Sequence, residues 1–356
     1  MSLPVATIDD AALRHNLGVV RRLAPRSRVL AVVKADAYGH GIVQTAKTLA
    51  DADGFGVARL GEALALRAAS VRQRIVLLEG VLTAKELEQA AHHDLEIVVH
   101  SLEQIALLEG AATRHDVWLK VDTGMNRLGI RVDAFTSALE RLRRAKSTRS
   151  LRLMTHLLAA EEPDGAASSQ QIQTFHSLTA ELSFEKSIAN SAGIICRPDA
   201  RCDWVRPGLM LYGISPLGEQ SARELDLRPA MTLRTSLVAV RDVKTGESVG
   251  YGGVWRAPRD SRVGIAAIGY GDGYPWAMRT GAPVLVDEQE ASTVGRVSMD
   301  MIAVDITHLP SAKIGSEVTL WGKGLPAERV APFADTIAYE LVCRVKERVA
   351  IKRVDG

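Results

Sequence analysis

Short apolar runs recur along the first two-thirds of the chain, each followed by a stretch of helical period. The runs fall at 29–33, 54–58, 75–78, 95–99, 117–121, 151–155 and 186–189, with an eighth at 204–205 or 209–212. They are rich in β-branched residues and do not alternate strictly, as expected for strands buried on both faces. Between them lie amphipathic stretches such as 83–93 (T-A-K-E-L-E-Q-A-A-H-H) and 132–145. Thr83 and Glu86 have the spacing of a capping box, which marks a helix start. About eight strand–helix units in roughly 220 residues is the arithmetic of a closed (β/α)8 barrel. A doubly wound open sheet would carry a glycine fingerprint after its first strand, and this sequence carries none.

Near Arg228 and Pro229 the period changes. Met231–Val243, 262–268, Pro283–Val286, 293–307 and Glu317–Trp321 read as strands, joined by turn signals such as T-G-E and A-P-R-D. Only 327–334 and 337–345 read as helix there. The expected organisation is therefore a TIM-type (β/α)8 barrel over residues 1–228, followed by a mostly β domain over 229–356.

Composition narrows the partners. The chain has 356 residues, with 44 Lys+Arg against 42 Asp+Glu and a formal net charge of +2. Such a balance recruits neither nucleic acid nor an anionic membrane surface. No apolar run approaches the roughly 18 residues of a membrane span. The first ten residues turn acidic where a signal peptide is basic and then apolar, so a cytoplasmic protein is expected. The three cysteines, Cys196, Cys202 and Cys343, form no C-x-x-C pair, and an odd number argues against a disulfide framework. No H-E-x-x-H, P-loop or other metal-ligand spacing occurs, so no metal is expected.

In a barrel, chemistry gathers where strands end. The residues after the apolar runs are Lys34, Arg59, Glu79, His100, Asp122, His156, Asn190 with Ser191, and Arg206. A polar residue at a strand end is ordinarily where the chain meets water, and a lysine there ordinarily snorkels. Lys34 stands apart because it ends R-V-L-A-V-V-K and is followed by A-D-A-Y-G-H-G. An amine held at a barrel mouth and partly desolvated can attack a carbonyl, and the two glycines let backbone approach a ligand. Tyr38 lies one turn of loop beyond it. The loops after the seventh and eighth strands read N-S-A-G and R-P-G-L-M, small residues suited to a phosphate. A carbonyl-reactive lysine and a phosphate cradle on one barrel face together suggest pyridoxal 5'-phosphate (PLP).

The sequence at this point resembles the alanine racemase family along essentially its whole length. A-V-V-K-A-D-A-Y-G-H-G at 31–41 is similar to that family's cofactor-lysine signature. K-V-D-T-G-M-N-R-L-G at 120–129, W-V-R-P-G-L-M-L-Y-G at 204–213, V-G-Y-G-G at 249–253, G-Y-G-D-G-Y-P at 269–275, G-R-V-S-M-D-M at 295–301 and Y-E-L-V-C at 339–343 resemble its other blocks in order. The resemblance implies interconversion of L- and D-alanine by two bases, with Lys34 joined to PLP and Tyr251 reaching the active site of a partner subunit. It implies that Arg206 holds the pyridine nitrogen and that His156 bridges Tyr251 and Arg206. Tyr38, Ser191, Gly208, Leu209 and Tyr339 would cradle the phosphate. Arg127 and the backbone of Met299 would hold the substrate carboxylate, and Lys120 would be a carbamylated lysine orienting Arg127. A homodimer with shared sites follows, as does a role either in supplying D-alanine for peptidoglycan or in breaking alanine down.

Departures from the family pattern fall at Leu157, in place of an aromatic residue, at Glu161, in place of an aspartate, and at Trp276, in place of an arginine; Arg296 is retained. Two other readings compete. A related barrel PLP decarboxylase wants an acidic partner at the pyridine nitrogen, which Arg206 is not. A PLP carrier without turnover resembles a bare barrel and lacks the second domain.

Overall fold

The computed structural model describes residues 4–162, 165–218 and 220–356. In chain order the strands are β1 Val5–Asp9, β2 Arg28–Val32, β3 Gly54–Val57, β4 Arg74–Leu77, β5 Glu96–Val99, β6 His115–Asp122, β7 Ile130–Arg131, β8 Thr148–Met154, β9 Lys186–Ser187 and β10 Trp204–Val205. Then follow β11 Met231–Val243, β12 Ser248–Val249, β13 Trp255–Arg256, β14 Ser261–Ala266, β15 Pro283–Val286, β16 Gln289–Val294, β17 Ile302–Asp305, β18 Glu317–Trp321 and β19 Ala350–Val354.

The row β5-β4-β3-β2-β10-β9-β8-β6 is parallel throughout, and β6 pairs back with β5, so these strands close into a barrel. β7 only adds a short parallel rung to β6. The intervening helices start where side chains satisfy their first N–H groups. Asp9 accepts from Ala12, and Thr83 and Glu86 form the reciprocal capping box.

The barrel is sealed at its N-terminal end. Trp118 and Trp204 meet edge to face at 5.6 Å among Leu30, Val76, Val98 and Met154. The Trp118 indole donates to Glu96 (2.7 Å) and the Trp204 indole to Glu185 (2.9 Å). Arg152 reaches both carboxylates, at 3.3 and 2.9 Å. Buried polar groups are tolerated there because each has a charged or hydrogen-bonded partner. With this end filled, the C-terminal ends of the strands are left to form a cavity.

In the second domain β14, β17, β16, β15, β18 and β11 pair in sequence, and β11 pairs again with β14, giving an antiparallel ring. β1 precedes the barrel in sequence but belongs to this sheet. It pairs antiparallel with β11 and parallel with β19, so both ends of the chain lie side by side.

The structure decides one alternative that the sequence left open and departs from the sequence expectation elsewhere. The predicted strand 293–307 is two strands, β16 and β17. Gly295 turns out with φ +70°, and Ser298 hydrogen-bonds Met301 in a tight reversal between them. The eighth barrel strand is Trp204–Val205, whereas Leu209–Tyr212 is a 3-10 turn. β1 and β19 were not expected at all. Among the described residues, no helix is long and apolar enough to cross a membrane.

Candidate active site

Lys34 lies just beyond β2, at the start of the segment Lys34–Gly39. Sequence reasoning took this stretch for loop. It is a left-handed helical turn: Ala35, Asp36, Ala37 and Tyr38 all have φ between +53° and +54°. Left-handed residues with a Cβ cost roughly 1–2 kcal/mol each, so a run of four persists only if its surroundings hold it. The Ala35 N–H donates to Glu62 Oε1 (2.7 Å), and the same carboxylate caps the helix Leu60–Ala68. The Ile42 N–H donates to Asp36 Oδ1 (2.7 Å). The Tyr38 ring stacks on Tyr212 at 4.7 Å and lies 5.9 Å from Tyr339. Gly39 must be glycine: a Cβ there would sit 2.3 Å from the carbonyl oxygen of Val342, in the helix Ala338–Cys343 that carries Tyr339.

A cavity of about 380 Å3 opens beside this turn. Lys34, Tyr38, Lys120, Arg127, His156, Ser191, Arg206, Gly208, Leu209 and Tyr339 all line it. Four of these are cationic, whereas Glu79 is the one carboxylate among the lining residues. The crowding shows in the titration of the neighbours. Burial and then the cations Arg206, Arg127 and Lys34 push the Lys120 ammonium down to about 8, against a smaller opposing pull from Asp122. Burial, reinforced by the same cations and by Lys120, holds His156 well below the usual histidine range, so its ring is neutral.

Arg206 is buried and held by neutral acceptors. Its Nη1 donates to Ser187 Oγ, and its Nη2 donates to the carbonyls of Thr155 (2.6 Å) and Ile188 (3.1 Å) and faces His156 Nδ1 at 3.4 Å. Burial pushes its guanidinium down to about 10, still charged at neutral pH. Because Arg206 can only donate, His156 Nδ1 is the acceptor and the ring hydrogen sits on Nε2.

The loops after β9 and β10 interlock. Asn190, not Ser191, caps the helix Ser191–Cys196. Ser191 Oγ instead accepts from the N–H groups of Gly208 (2.9 Å) and Met210 (3.3 Å). Those two backbone donors are therefore engaged within the protein. With both lone pairs used, the Ser191 hydroxyl hydrogen remains as a donor. Gly208 lies against Tyr38: a Cβ would fall 2.7 Å from the phenol oxygen.

Tyr251 and Met299 do not line this cavity. Both project from the second domain and are 71% and 52% exposed. Tyr251 opens the 3-10 turn Tyr251–Gly253, which packs near Arg296. The Met299 carbonyl accepts from Gly271 N–H at 2.8 Å, binding the S-M-D-M loop to the G-Y-G-D-G-Y turn. Trp276 is 62% exposed, but Leu157 is buried in the core at 2%. Among the lining residues that sequence reasoning passed over are Glu79 and Asn190, which stood among the strand ends, and Val32, Ala58, Leu78, Leu128, Met154 and Thr155, which carried no signal beyond position.

Residues 8–216 match the family model described as "Alanine racemase, N-terminal domain", and residues 230–353 match "Alanine racemase, C-terminal domain". The chain belongs to the alanine racemase family. It is 49% identical over 357 residues to the alanine racemase of Aeromonas hydrophila subsp. hydrophila, covering 99% of this chain and 100% of that one. It is 48% identical over 355 residues to that of Yersinia pestis, covering 99% of each. The solved structure of biosynthetic alanine racemase from Pseudomonas aeruginosa superposes with a TM-score of 0.97 at 44% identity, covering 99% of this chain and 100% of that one. That of alanine racemase from Acinetobacter baumannii gives 0.94 at 36% identity, with the same coverage. The barrel with its mostly β second domain is the architecture of this family, and membership makes the chain an enzyme of the isomerase class.

Proposed function

We propose that this chain interconverts L- and D-alanine, with PLP held in the barrel mouth and each active site completed by a second copy of the chain. The observation that carries the reading is the set of four cations, Lys34, Lys120, Arg127 and Arg206, around a cradle of small and phenolic residues. That arrangement suits a ligand with a phosphate and a substrate with a carboxylate. The residues fit PLP: a lysine at a strand end to meet its aldehyde, a hydroxyl donor on Ser191, and a glycine that leaves room for the Tyr38 phenol. Joined to the substrate amine, PLP supplies an electron sink that makes the α-proton removable.

Tyr38, Ser191, Tyr339 and the backbone of Leu209 would hold the phosphate, with Gly208, whose N–H is taken by Ser191, leaving room for it. Arg206 would face the pyridine nitrogen as a donor that does not readily surrender a proton to it. Arg127 orients the substrate carboxylate, with the backbone of Met299 from the second copy. The Lys34 amine moves the proton on one face of the α-carbon, and the phenol oxygen of the second copy's Tyr251 moves it on the other. His156 presents its Nε2–H toward that phenol while Nδ1 stays on Arg206. Lys120, with its ammonium pushed down to about 8, is partly neutral at neutral pH. A neutral amine can add to carbon dioxide with loss of a proton, and the carbamate would place a negative charge beside Arg127.

Exposure of the large apolar residues Tyr251, Val254, Trp276, Met299 and Met301 on the second domain supports the dimer, since a partner would cover them. Purified protein given L-alanine should yield a racemic mixture by chiral chromatography. Bound PLP with no D-alanine would favour the carrier and overturn the proposal. Shared sites are tested by mixing Lys34→Ala and Tyr251→Phe proteins. After random exchange half the dimers are hybrids with one intact site each, so about a quarter of parental activity should return. No activity despite proven exchange would refute the shared site.

A further inference from the structure

We propose that His40 is a positioning residue of the cofactor site: its imidazole clamps the left-handed turn that carries Lys34 and Tyr38, and one buried water ties that imidazole to Trp321 of the C-terminal sheet. The proposal rests on the barrel mouth being the cofactor site.

His40 is fully buried, and its Nδ1 lies 3.0 Å from the carbonyl oxygen of Ala37 and 2.9 Å from that of Tyr38. Two carbonyls can only accept, so Nδ1 carries the hydrogen. These carbonyls end the left-handed turn, as Glu62 begins it at the Ala35 N–H. His40 thus supplies at one end what Glu62 supplies at the other, and the turn between them is held in a conformation its residues do not favour. Burial pushes the ring down to about 4, aided by Arg353 and opposed by the two carbonyl bonds, so it is neutral at physiological pH.

A neutral ring with its hydrogen on Nδ1 has a bare acceptor at Nε2, and this atom is buried without a protein partner among the described residues. The indole Nε1–H of Trp321 is a donor in the same condition. His40 and Trp321 line one small cavity, together with Glu328. It offers about 10 Å3 for the centre of a water, which is room for one molecule. A water there accepts from Trp321, donates to His40 Nε2 and keeps a second hydrogen for Glu328. It thereby links the turn in the barrel to β18 in the sheet.

The test compares His40→Leu, which removes the donor, with His40→Asn, whose side-chain amide places an N–H near Nδ1. Folding is followed by circular dichroism, PLP affinity by titrating apoprotein, and turnover by kcat and KM for alanine. His40→Leu should weaken PLP binding about tenfold or more and lower kcat, and His40→Asn should recover to within about threefold of the parent. A folded His40→Leu protein with parental PLP affinity, or a His40→Asn protein as impaired as His40→Leu, overturns the proposal. Nitrogen-15 shifts of the unmodified apoprotein's histidines give a second readout that needs no variant to fold. They should show Nδ1 protonated and Nε2 bare at pH 7, and the opposite tautomer or a charged ring overturns the clamp. Failure of the parent to bind PLP at all would instead refute the cofactor-site reading and leave the tautomer result standing.

Discussion

Replacing Gly208 by alanine should damage the phosphate cradle through one contact. The φ of Gly208 is −121°, so alanine meets no left-handed penalty there. The new Cβ would fall 2.7 Å from the Tyr38 phenol oxygen and 3.4 Å from its Cζ, and the first distance is one that real methyl groups do not occupy. The phenol has little freedom to retreat, because Tyr38 is 7% exposed and stacked on Tyr212. Its hydroxyl must therefore leave its place. A hydrogen bond to a charged group is worth about 1.5–3 kcal/mol, or roughly 10- to 150-fold in affinity. Gly208→Ala should weaken PLP binding by an amount in that range, and so should Tyr38→Phe. Without the oxygen the clash is gone, so the double variant should bind no worse than Tyr38→Phe alone. The coupling then equals nearly the whole of one single effect, far above the few tenths of a kcal/mol expected of independent sites. The assay is titration of apoprotein with PLP, followed by absorbance, for the four proteins of the cycle. Additive losses would refute the idea that Gly208 acts through Tyr38.

Other outcomes follow from the same geometry. Lys120 has a folded pKa of about 8, below its ordinary 10.5. Between those values the unfolded chain binds more protons, so stability contributed by this site rises with pH across that window, and the penalty is full below it. In buffer free of carbon dioxide, where Lys120 stays an amine, Lys120→Met apoprotein should accordingly be more stable than the parent at pH 7, by on the order of 3 kcal/mol, with the difference shrinking toward pH 10 in thermal melts; a pH-independent difference would count against the assignment. At the sealed end of the barrel, Arg152→Met leaves Glu96 and Glu185 short of a shared cation and should cost about 3 kcal/mol in urea denaturation. The kcat/KM of that variant should stay near parental, since Arg152 does not line the cavity; a large catalytic loss would show that the two barrel ends are coupled. Glu62→Ala removes the bond to the Ala35 N–H and should weaken PLP binding while leaving the overall circular dichroism spectrum that of a folded protein; parental PLP affinity would count against Glu62 holding the turn.

Much of the barrel was legible because its signals are local. A parallel strand buried on both faces must be a short apolar run, and the residue at which it meets the cavity is polar. Lys34, His156, Ser191 and Arg206 are visible for that reason, whereas Lys120, inside the run 117–121, entered only through resemblance. What escaped depends on contacts between distant segments. Nothing in A-D-A-Y announces a left-handed turn, because Glu62, Tyr212 and His40 impose it. β19 was hidden because its residues, A-I-K-R-V, are largely exposed and do not alternate between apolar and polar, so pairing with β1 holds it in place. The predicted strand 293–307 broke because its middle, G-R-V-S-M-D-M, mixes apolar residues with a turn built by Ser298. Tyr251 and Met299 entered only through resemblance, and the single chain leaves both outside the cavity.

The charge pattern joins these observations. The chain is almost neutral as a whole, at +2, yet four cations gather at one barrel mouth with a single carboxylate on its wall. Such crowding disfavours the folded protein, and together with burial, the larger cause, it depresses the titration of Lys120 and His156. At the other end of the same barrel, cations and carboxylates alternate: Arg152 lies between Glu96 and Glu185, with Arg28 and Arg74 against the same acids. The fold thus balances charge where it needs only stability. Where it leaves cations unbalanced, the proposed function supplies the anions that would answer them, a phosphate and a carboxylate, the two groups that a PLP-bound amino acid would bring with it.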